Sequence, residues 1–97
     1  MNVGVCKLRI HFPENHSLKE KRHILKSIIT RLRNQYNISV AEIEDQDLWQ
    51  LGTLGIACVG NHSQFIDEIL SKVTNFITWN YPELELVDSE IEILPVL

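Results

Sequence analysis

Four cations recur at helical spacing in the first third of the chain, at Lys19, Arg22, Lys26 and Arg33. At 3.6 residues per turn they span only about 60° of a helix circumference. Glu20 is the single carboxylate of this segment and points to another side, so no acid neutralises the row. Aligned cations fit the phosphates of RNA, which give affinity without base readout. The alternative is a solvated helix face that complements the acidic remainder of the chain.

A second candidate surface lies near the middle of the chain, at Gln46, Trp49 and Gln50. A tryptophan flanked by amides near a loop is typical of an anchor for a partner, with the amides as a polar rim. The same tryptophan would instead cover the core if its loop folds back. The sequence leaves both alternatives open, and we carry the three residues as candidate partner-binding residues.

Carboxylates crowd the same region, at Glu42, Glu44, Asp45 and Asp47. Their oxygens suit a hard cation such as Ca²⁺ or Mg²⁺. The stretch lacks an EF-hand pattern, however, and successive strand residues point to opposite faces. These features favour a solvated hairpin tip, with metal-dependent hydrolysis through Asp45 and Asp47 as the remote alternative.

The chain shows no signature of catalysis. No nucleophile is paired with a base, no glycine loop would cradle phosphate, and no zinc-ligand spacing is present. The four histidines, His11, His16, His23 and His62, have no histidine partner four residues away. We therefore expect no catalytic residue, no metal and no cofactor, and a protein that is not an enzyme.

Hydrophobic periodicity predicts six elements that must position these side chains. Alternation with period two marks strands at residues 3–12, 38–43, 49–59 and 84–94. Helical spacing marks a helix over 17–36, which opens with a serine–glutamate capping box, and a second helix from Asn61 or Ser63 to Tyr81. The order strand, helix, strand, strand, helix, strand predicts an α+β protein. With right-handed crossovers, residues 1–97 form a single ferredoxin-like domain, a four-stranded antiparallel sheet with two helices on one face.

The open face of that sheet has two predicted properties. It would bring cations of the first strand beside acids of the last, and cross-strand pairing would then neutralise the face. The residues concerned are Lys7, Arg9, Asp88, Glu90 and Glu92. No aromatic residue faces outward from the two central strands, so the base-stacking platform of RNA-recognition domains is missing. Small outward side chains suit a packing surface instead, for example sheet-to-sheet dimerisation.

Charge is distributed unevenly along 97 residues whose net charge is −4. Residues 1–33 hold eight of the nine Lys and Arg against two acids, a net of +6, and residues 34–97 hold one cation against eleven acids, a net of −10. No stretch approaches the roughly 18 apolar residues of a membrane span, and the N-terminus has no signal-peptide layout. Cys6 and Cys58 lie in apolar strands, which is typical of buried thiols in a reducing compartment. We therefore expect a cytoplasmic protein with no membrane contact.

Several segments together resemble one protein family. They are SLKEKR at 17–22, NISVAE at 37–42, QDLWQ at 46–50 and TLGIACVGN at 53–61. In order and spacing they are similar to the YlxP-like family of small bacterial proteins, over nearly the whole chain. The resemblance implies a ferredoxin-like fold and no established activity, because the family is one of unknown function. It also implies genes that neighbour those of translation initiation and ribosome maturation factors, which suggests RNA or the ribosome as a partner.

These observations combine into two expectations about function. The first is a non-catalytic cytoplasmic accessory protein that contacts RNA or a ribosomal subunit through its basic helix flank. Four phosphate contacts would give a log–log salt slope of about −3 to −4. The second is an oligomeric module, such as a homodimer, that binds a protein or a small ligand and has no nucleic-acid role.

Overall fold

The computed structural model describes all 97 residues, as two helices and a four-stranded antiparallel sheet. The elements in chain order are β1 Asn2–His11, α1 Leu18–Gln35, β2 Ser39–Glu44, β3 Leu51–Gly60, α2 Ser63–Asn80 and β4 Glu85–Pro95. The strands lie side by side in the order β2-β3-β1-β4. The predicted ferredoxin-like βαββαβ arrangement is therefore confirmed.

The core lies between the helices and one face of the sheet. On β1, side chains alternate, and the helix-facing Leu8 and Ile10 are 0% exposed, as is Phe12 just beyond the end of the strand. From the helices, Leu32 and Leu70 are likewise 0% exposed and complete this layer. Neither helix has an apolar stretch long enough to cross a membrane.

The predicted capping box at the start of α1 is confirmed for Ser17, whereas Glu20 accepts from the amide of the preceding residue, His16, and not from that of Ser17. The Ser17 side-chain oxygen accepts a hydrogen bond from the Glu20 amide at 3.1 Å, and the Glu20 carboxylate accepts one from the His16 amide at 3.0 Å. These bonds satisfy amides that have no partner within the helix. They also turn the only carboxylate of α1 toward its N-terminus, away from the cations farther along.

The approach of α2 to the sheet depends on Gly4 in β1. A Cβ atom at Gly4 would overlap Ile66 Cγ2 and would lie 3.2 Å from Leu70 Cδ1. Ile66 and Leu70 are both 0% exposed, so close-packed neighbours hold them in place. The absent side chain thus lets the helix lie directly against the central strand.

The two thiols are buried and are not joined by a disulfide, as the sequence predicted. Burial raises the pKa of both Cys6 and Cys58, because it disfavours the thiolate, and a hydrogen bond with Ser89 partly opposes this effect at Cys6. Both residues serve the core as small apolar side chains.

Candidate nucleic-acid interface

Three of the four predicted cations are available to a ligand. Lys19, Arg22 and Lys26 are exposed on α1, and no carboxylate lies within ion-pair distance of any of them. The capping bond from His16 occupies Glu20, the one acid of the helix. The α1 flank, defined here as Lys19, Arg22 and Lys26, is therefore a row of unpaired positive charge.

Arg33, the fourth cation, has a structural contact. Its guanidinium donates to the Val40 carbonyl oxygen in β2 at 2.7 Å. Val40 lies on an edge strand of the sheet, so this bond satisfies an oxygen that no neighbouring strand reaches. Arg33 thus joins the last turn of α1 to β2, and its charge is only partly available to a ligand.

A shallow groove runs between the α1 flank and the β2 edge. It has a volume of about 340 Å³ and is lined on the helix side by Arg22, Lys26, Ile29 and Arg33. Glu42 of β2 is the only acid in its lining. The groove therefore combines a partly apolar lining with three cationic side chains.

Beneath the flank lies a buried lysine that the sequence analysis overlooked. Lys21 is 0% exposed, and its Nζ donates to the carbonyl oxygens of Asp45 at 2.7 Å, Leu51 at 2.9 Å and Gln46 at 3.4 Å. It also lies 3.2 Å from Glu42 Oε2, which has no other partner. The sequence signal was its place on the apolar face of α1, four residues before Leu25. Lys21 therefore ties the helix to the β2–β3 hairpin.

Asp45 shapes the tip of that hairpin. Its backbone φ is 64°, in the left-handed region that few residues other than glycine adopt. Its carboxylate accepts a hydrogen bond from Thr53 Oγ1 at 2.6 Å and lies 3.3 Å from Arg9 Nε. Of the four predicted acids, Glu42, Glu44 and Asp45 lie within ion-pair distance of a lysine or arginine, and Asp47 alone is exposed without such a partner, so the prediction of a solvated tip is only partly correct. The structure holds no cluster of three or more His, Cys, Asp or Glu side chains arranged to surround a metal ion.

The predicted partner-binding residues, Gln46, Trp49 and Gln50, are only partly accessible to a partner, because some of their groups bond within the protein. Trp49 is 44% exposed, while its carbonyl oxygen accepts from Asn15 Nδ2 at 3.3 Å. The Gln50 side chain donates to the Asn15 carbonyl oxygen at 3.3 Å, so it holds two loops together. Gln46 is exposed and gives only its backbone oxygen to Lys21. The Trp49 ring and the Gln46 amide are therefore the parts that a partner can reach.

On the open face of the sheet, the predicted ion pairing with β4 is wrong. Lys7 Nζ lies 2.9 Å from Glu44 of β2, and this hydrogen bond raises the lysine pKa. Arg9 pairs with Asp45, as described above. Both cations reach past β3 because Gly55 and Thr53, opposite them, are small. Three acids farther along β4 therefore remain without ion pairs, whereas Glu85 at the start of the strand lies 3.2 Å from His11 Nδ1.

The three acids of β4 that have no ion pair are Asp88, Glu90 and Glu92, and we call them the β4 acid row. They lie opposite Arg9, Lys7 and Val5 in the β1–β4 register, and none has a cation within ion-pair distance. The Asp88 carboxylate accepts only the neighbouring Ser89 amide, at 2.9 Å. The charge of Glu90 also helps to raise the Lys7 pKa, after the larger effect of Glu44.

The remainder of the open face is apolar and shallow. A depression of about 500 Å³ lies over the small residues Ala41, Gly55 and Ala57. Around this part of the sheet, Ile43 is 45% exposed and Val59 is 62% exposed. No aromatic side chain lines the depression, so it offers no stacking surface for bases.

Comparison with known proteins identifies relatives of unknown activity. Residues 3–91 match the family model described as "Protein of unknown function (DUF503)". The chain is 45% identical over 83 residues to "Uncharacterized protein YlxP" of Bacillus subtilis (strain 168), covering 86% of this chain and 89% of that protein. Among solved structures, the de novo designed protein Foldit4 matches with a TM-score of 0.55 at 13% identity, each chain covering 100% of the other. At that identity the likeness shows the fold alone.

Proposed function

Because the chain belongs to the DUF503 family of proteins of unknown function, we propose its role from its own surface. The protein is a non-catalytic, cytoplasmic accessory factor that binds RNA, free or within a ribosomal subunit, through the α1 flank. One observation carries this proposal, namely that Lys19, Arg22 and Lys26 are aligned, exposed and unpaired in a protein whose net charge is −4.

Electrostatics explains why unpaired cations favour this proposal. In a protein with more acids than cations, acidic partners for surface cations are plentiful. Here Lys7 and Arg9 have such partners, whereas the α1 flank has none. When unpaired lysines and arginines contact the phosphates of RNA, they displace the counterions that neutralised those phosphates. The release of these counterions favours binding.

We expect RNA binding with a moderate salt dependence. Three free cations predict a log–log slope of about −2 for single-stranded RNA and nearly −3 for a duplex, weaker than four cations would give. The partial use of Arg33 by Val40 is the reason for the reduction. Fluorescence anisotropy of labelled ribosomal RNA fragments, followed across a salt series, measures the slope directly.

A charge-reversal pair locates the binding surface. Lys26→Glu on α1 should weaken binding about tenfold at low salt and reduce the slope by about one. Lys72→Glu is the matched control, because Lys72 is also an exposed lysine within a helix but lies on α2. Equal losses in the two variants, or a binding curve insensitive to salt, would contradict the assignment to the α1 flank.

The apolar part of the open face favours a second candidate function, self-association. Its depression of about 500 Å³ is bordered by exposed aliphatic side chains, which a second copy would remove from water. Sedimentation at high micromolar concentration should then show a dimer that Val59→Asp returns to monomer. Trp79→Asp is the control, since Trp79 is 81% exposed on α2, away from the sheet face. A monomer at every concentration would exclude this candidate.

A further inference from the structure

The two edge strands of the sheet differ in whether a side chain bonds their outward-facing backbone groups. The outer strands are β2 and β4, and an edge strand presents backbone groups that lack a neighbour. On β2, the Arg33 guanidinium occupies the Val40 carbonyl oxygen at 2.7 Å, and α1 packs alongside. On β4, no side chain from another element contributes a comparable bond to the strand's outer edge. The β4 edge is therefore the less obstructed of the two for an added strand.

The register of β4 shows which of its backbone groups face outward. Met1 and Val96 exchange both backbone hydrogen bonds, at 2.9 and 2.8 Å. In an antiparallel ladder, bonded and non-bonded pairs alternate. Counting along the register from this pair, Ser89, Ile91 and Ile93 direct their N–H and C=O groups away from β1. The Ser89 amide agrees with this count, because it donates to the Asp88 side chain and not to β1.

The side chains of this edge alternate in chemistry as well. The β4 acid row faces the open side of the sheet, and Ser89, Ile91 and Ile93 face the helix side. Ile91 is 39% exposed although it lies on the helix side. A bulge at Val87 and the absent amide of Pro95 bound the regular edge to about seven residues, 88–94.

We propose that the β4 edge binds an extended peptide in which cationic and apolar residues alternate, by adding it as a fifth strand. The peptide's backbone would bond the outward amides of Ile91 and Ile93 and the outward carbonyls of Ser89, Ile91 and Ile93, since the Ser89 amide already donates to Asp88. Its cationic side chains would then lie beside the β4 acid row, and its apolar ones beside Ile91. Opposite charges on adjacent strands stabilise such a pair.

A second copy of this chain fits the same edge poorly. If two β4 strands paired antiparallel through their outward groups, every register that pairs at least five residues of the 88–94 edge would place acid opposite acid, for example Glu90 opposite Glu92 or opposite itself. Like charges directly opposite each other destabilise strand pairing. The charge of the edge therefore selects a basic partner. This surface lies across the sheet from the α1 flank, so the inference stands whether or not RNA binds there.

The test uses the full chain and a labelled peptide of alternating lysine and valine. We expect saturable binding by fluorescence anisotropy, with slowed hydrogen exchange at the amides of Ile91 and Ile93. Two further peptides carry N-methyl groups on alternate amides, one on the odd-numbered and one on the even-numbered residues. Only one of these two sets of amides faces β4, so one peptide should fail to bind and the other should bind normally. A peptide of alternating glutamate and valine should not bind. Equal binding of the two N-methylated peptides, or an unchanged rate of amide hydrogen exchange at Ile91 and Ile93, would overturn the proposal.

A pair of charge-reversed proteins completes the test. Glu90→Lys with Glu92→Lys should weaken peptide binding more than tenfold, with an unchanged circular dichroism spectrum. Asp67→Lys with Glu68→Lys is the matched control, because it makes the same charge change at exposed positions of α2. Equal weakening in both proteins would overturn the assignment to β4. Concentration-dependent protection of Ile91 and Ile93 without peptide would show that a second copy occupies the edge, and would overturn it too.

Discussion

Replacing Lys21 with methionine should lower the free energy of unfolding by about 3–5 kcal/mol. The substitution keeps most of the side-chain volume but removes the ammonium group that three carbonyl oxygens and Glu42 share. The carbonyl oxygens and the Glu42 carboxylate then lose their shared donor, and Glu42 Oε2 is buried with no other donor nearby. Leaving buried acceptors unsatisfied destabilises the fold. The Glu42 side chain is 21% exposed, so water relieves part of the loss and places it toward the lower end of the range.

Urea denaturation of the Lys21→Met variant measures this loss, and Lys26→Met is the control. Lys26 belongs to the same helix but is exposed and unpaired, so its variant should stay within about 0.5 kcal/mol of wild type. A Lys21→Met, Glu42→Leu double variant should recover part of the stability, because it removes the uncompensated charge. A loss below about 1 kcal/mol for Lys21→Met would mean that the hairpin does not depend on this contact.

Adding a single methyl group at Gly4 should also be costly. Gly4→Ala is expected to lower the free energy of unfolding by about 1–3 kcal/mol, since the new Cβ would overlap Ile66 Cγ2. Gly55→Ala is the matched control in the neighbouring strand. Its Cβ would lie 2.9 Å from Ile43 Cγ2, but Ile43 is 45% exposed and can turn aside. Gly55→Ala should therefore be nearly neutral in thermal and urea denaturation.

A double-mutant cycle identifies the cause of the Gly4 effect. Ile66→Ala removes the overlapping methyl group and should cost about 2–5 kcal/mol alone, because Ile66 is fully buried. The new methyl group at position 4 then fills part of the cavity. The Gly4→Ala, Ile66→Ala double variant should accordingly lose less stability than the two single losses combined, by about 1 kcal/mol or more. Strict additivity would show that Gly4 is required for another reason.

Periodicity in the sequence was sufficient to predict the fold. Alternation on β1 and helical spacing on α1 identify residues that the structure buries, and the capping serine marks the start of α1 within one residue. These features depend on neighbours close in the chain. Once six elements in this order are known, the handedness of crossovers leaves few other arrangements.

The site was harder to predict because its contacts join distant elements. In the sequence, Lys21 interrupts the apolar face of α1. Its partners are the carbonyl oxygens of Asp45 and Leu51, which lie 24 and 30 residues later in the chain and cannot be assigned to it from local spacing. Similarly, strand order predicts that Lys7 lies beside Glu90, which is correct. It does not predict that Lys7 extends over Gly55 to Glu44, since that choice depends on side-chain reach and on the bulge in β2.

The separation of the α1 flank from the β4 acid row changes how a charged molecule senses this protein. Three strand spacings of about 4.8 Å place β2 and β4 roughly 14 Å apart. The Debye length is about 8 Å at physiological ionic strength and about 30 Å at 0.01 M salt. In dilute buffer the fields of both regions reach an approaching polyanion, so the negative charge of the β4 acid row offsets part of its attraction to the α1 flank. At cellular ionic strength a charged molecule senses mainly the region nearest to it. A polyanion beside the α1 flank then experiences the three cations, and a polycation beside β4 experiences the β4 acid row.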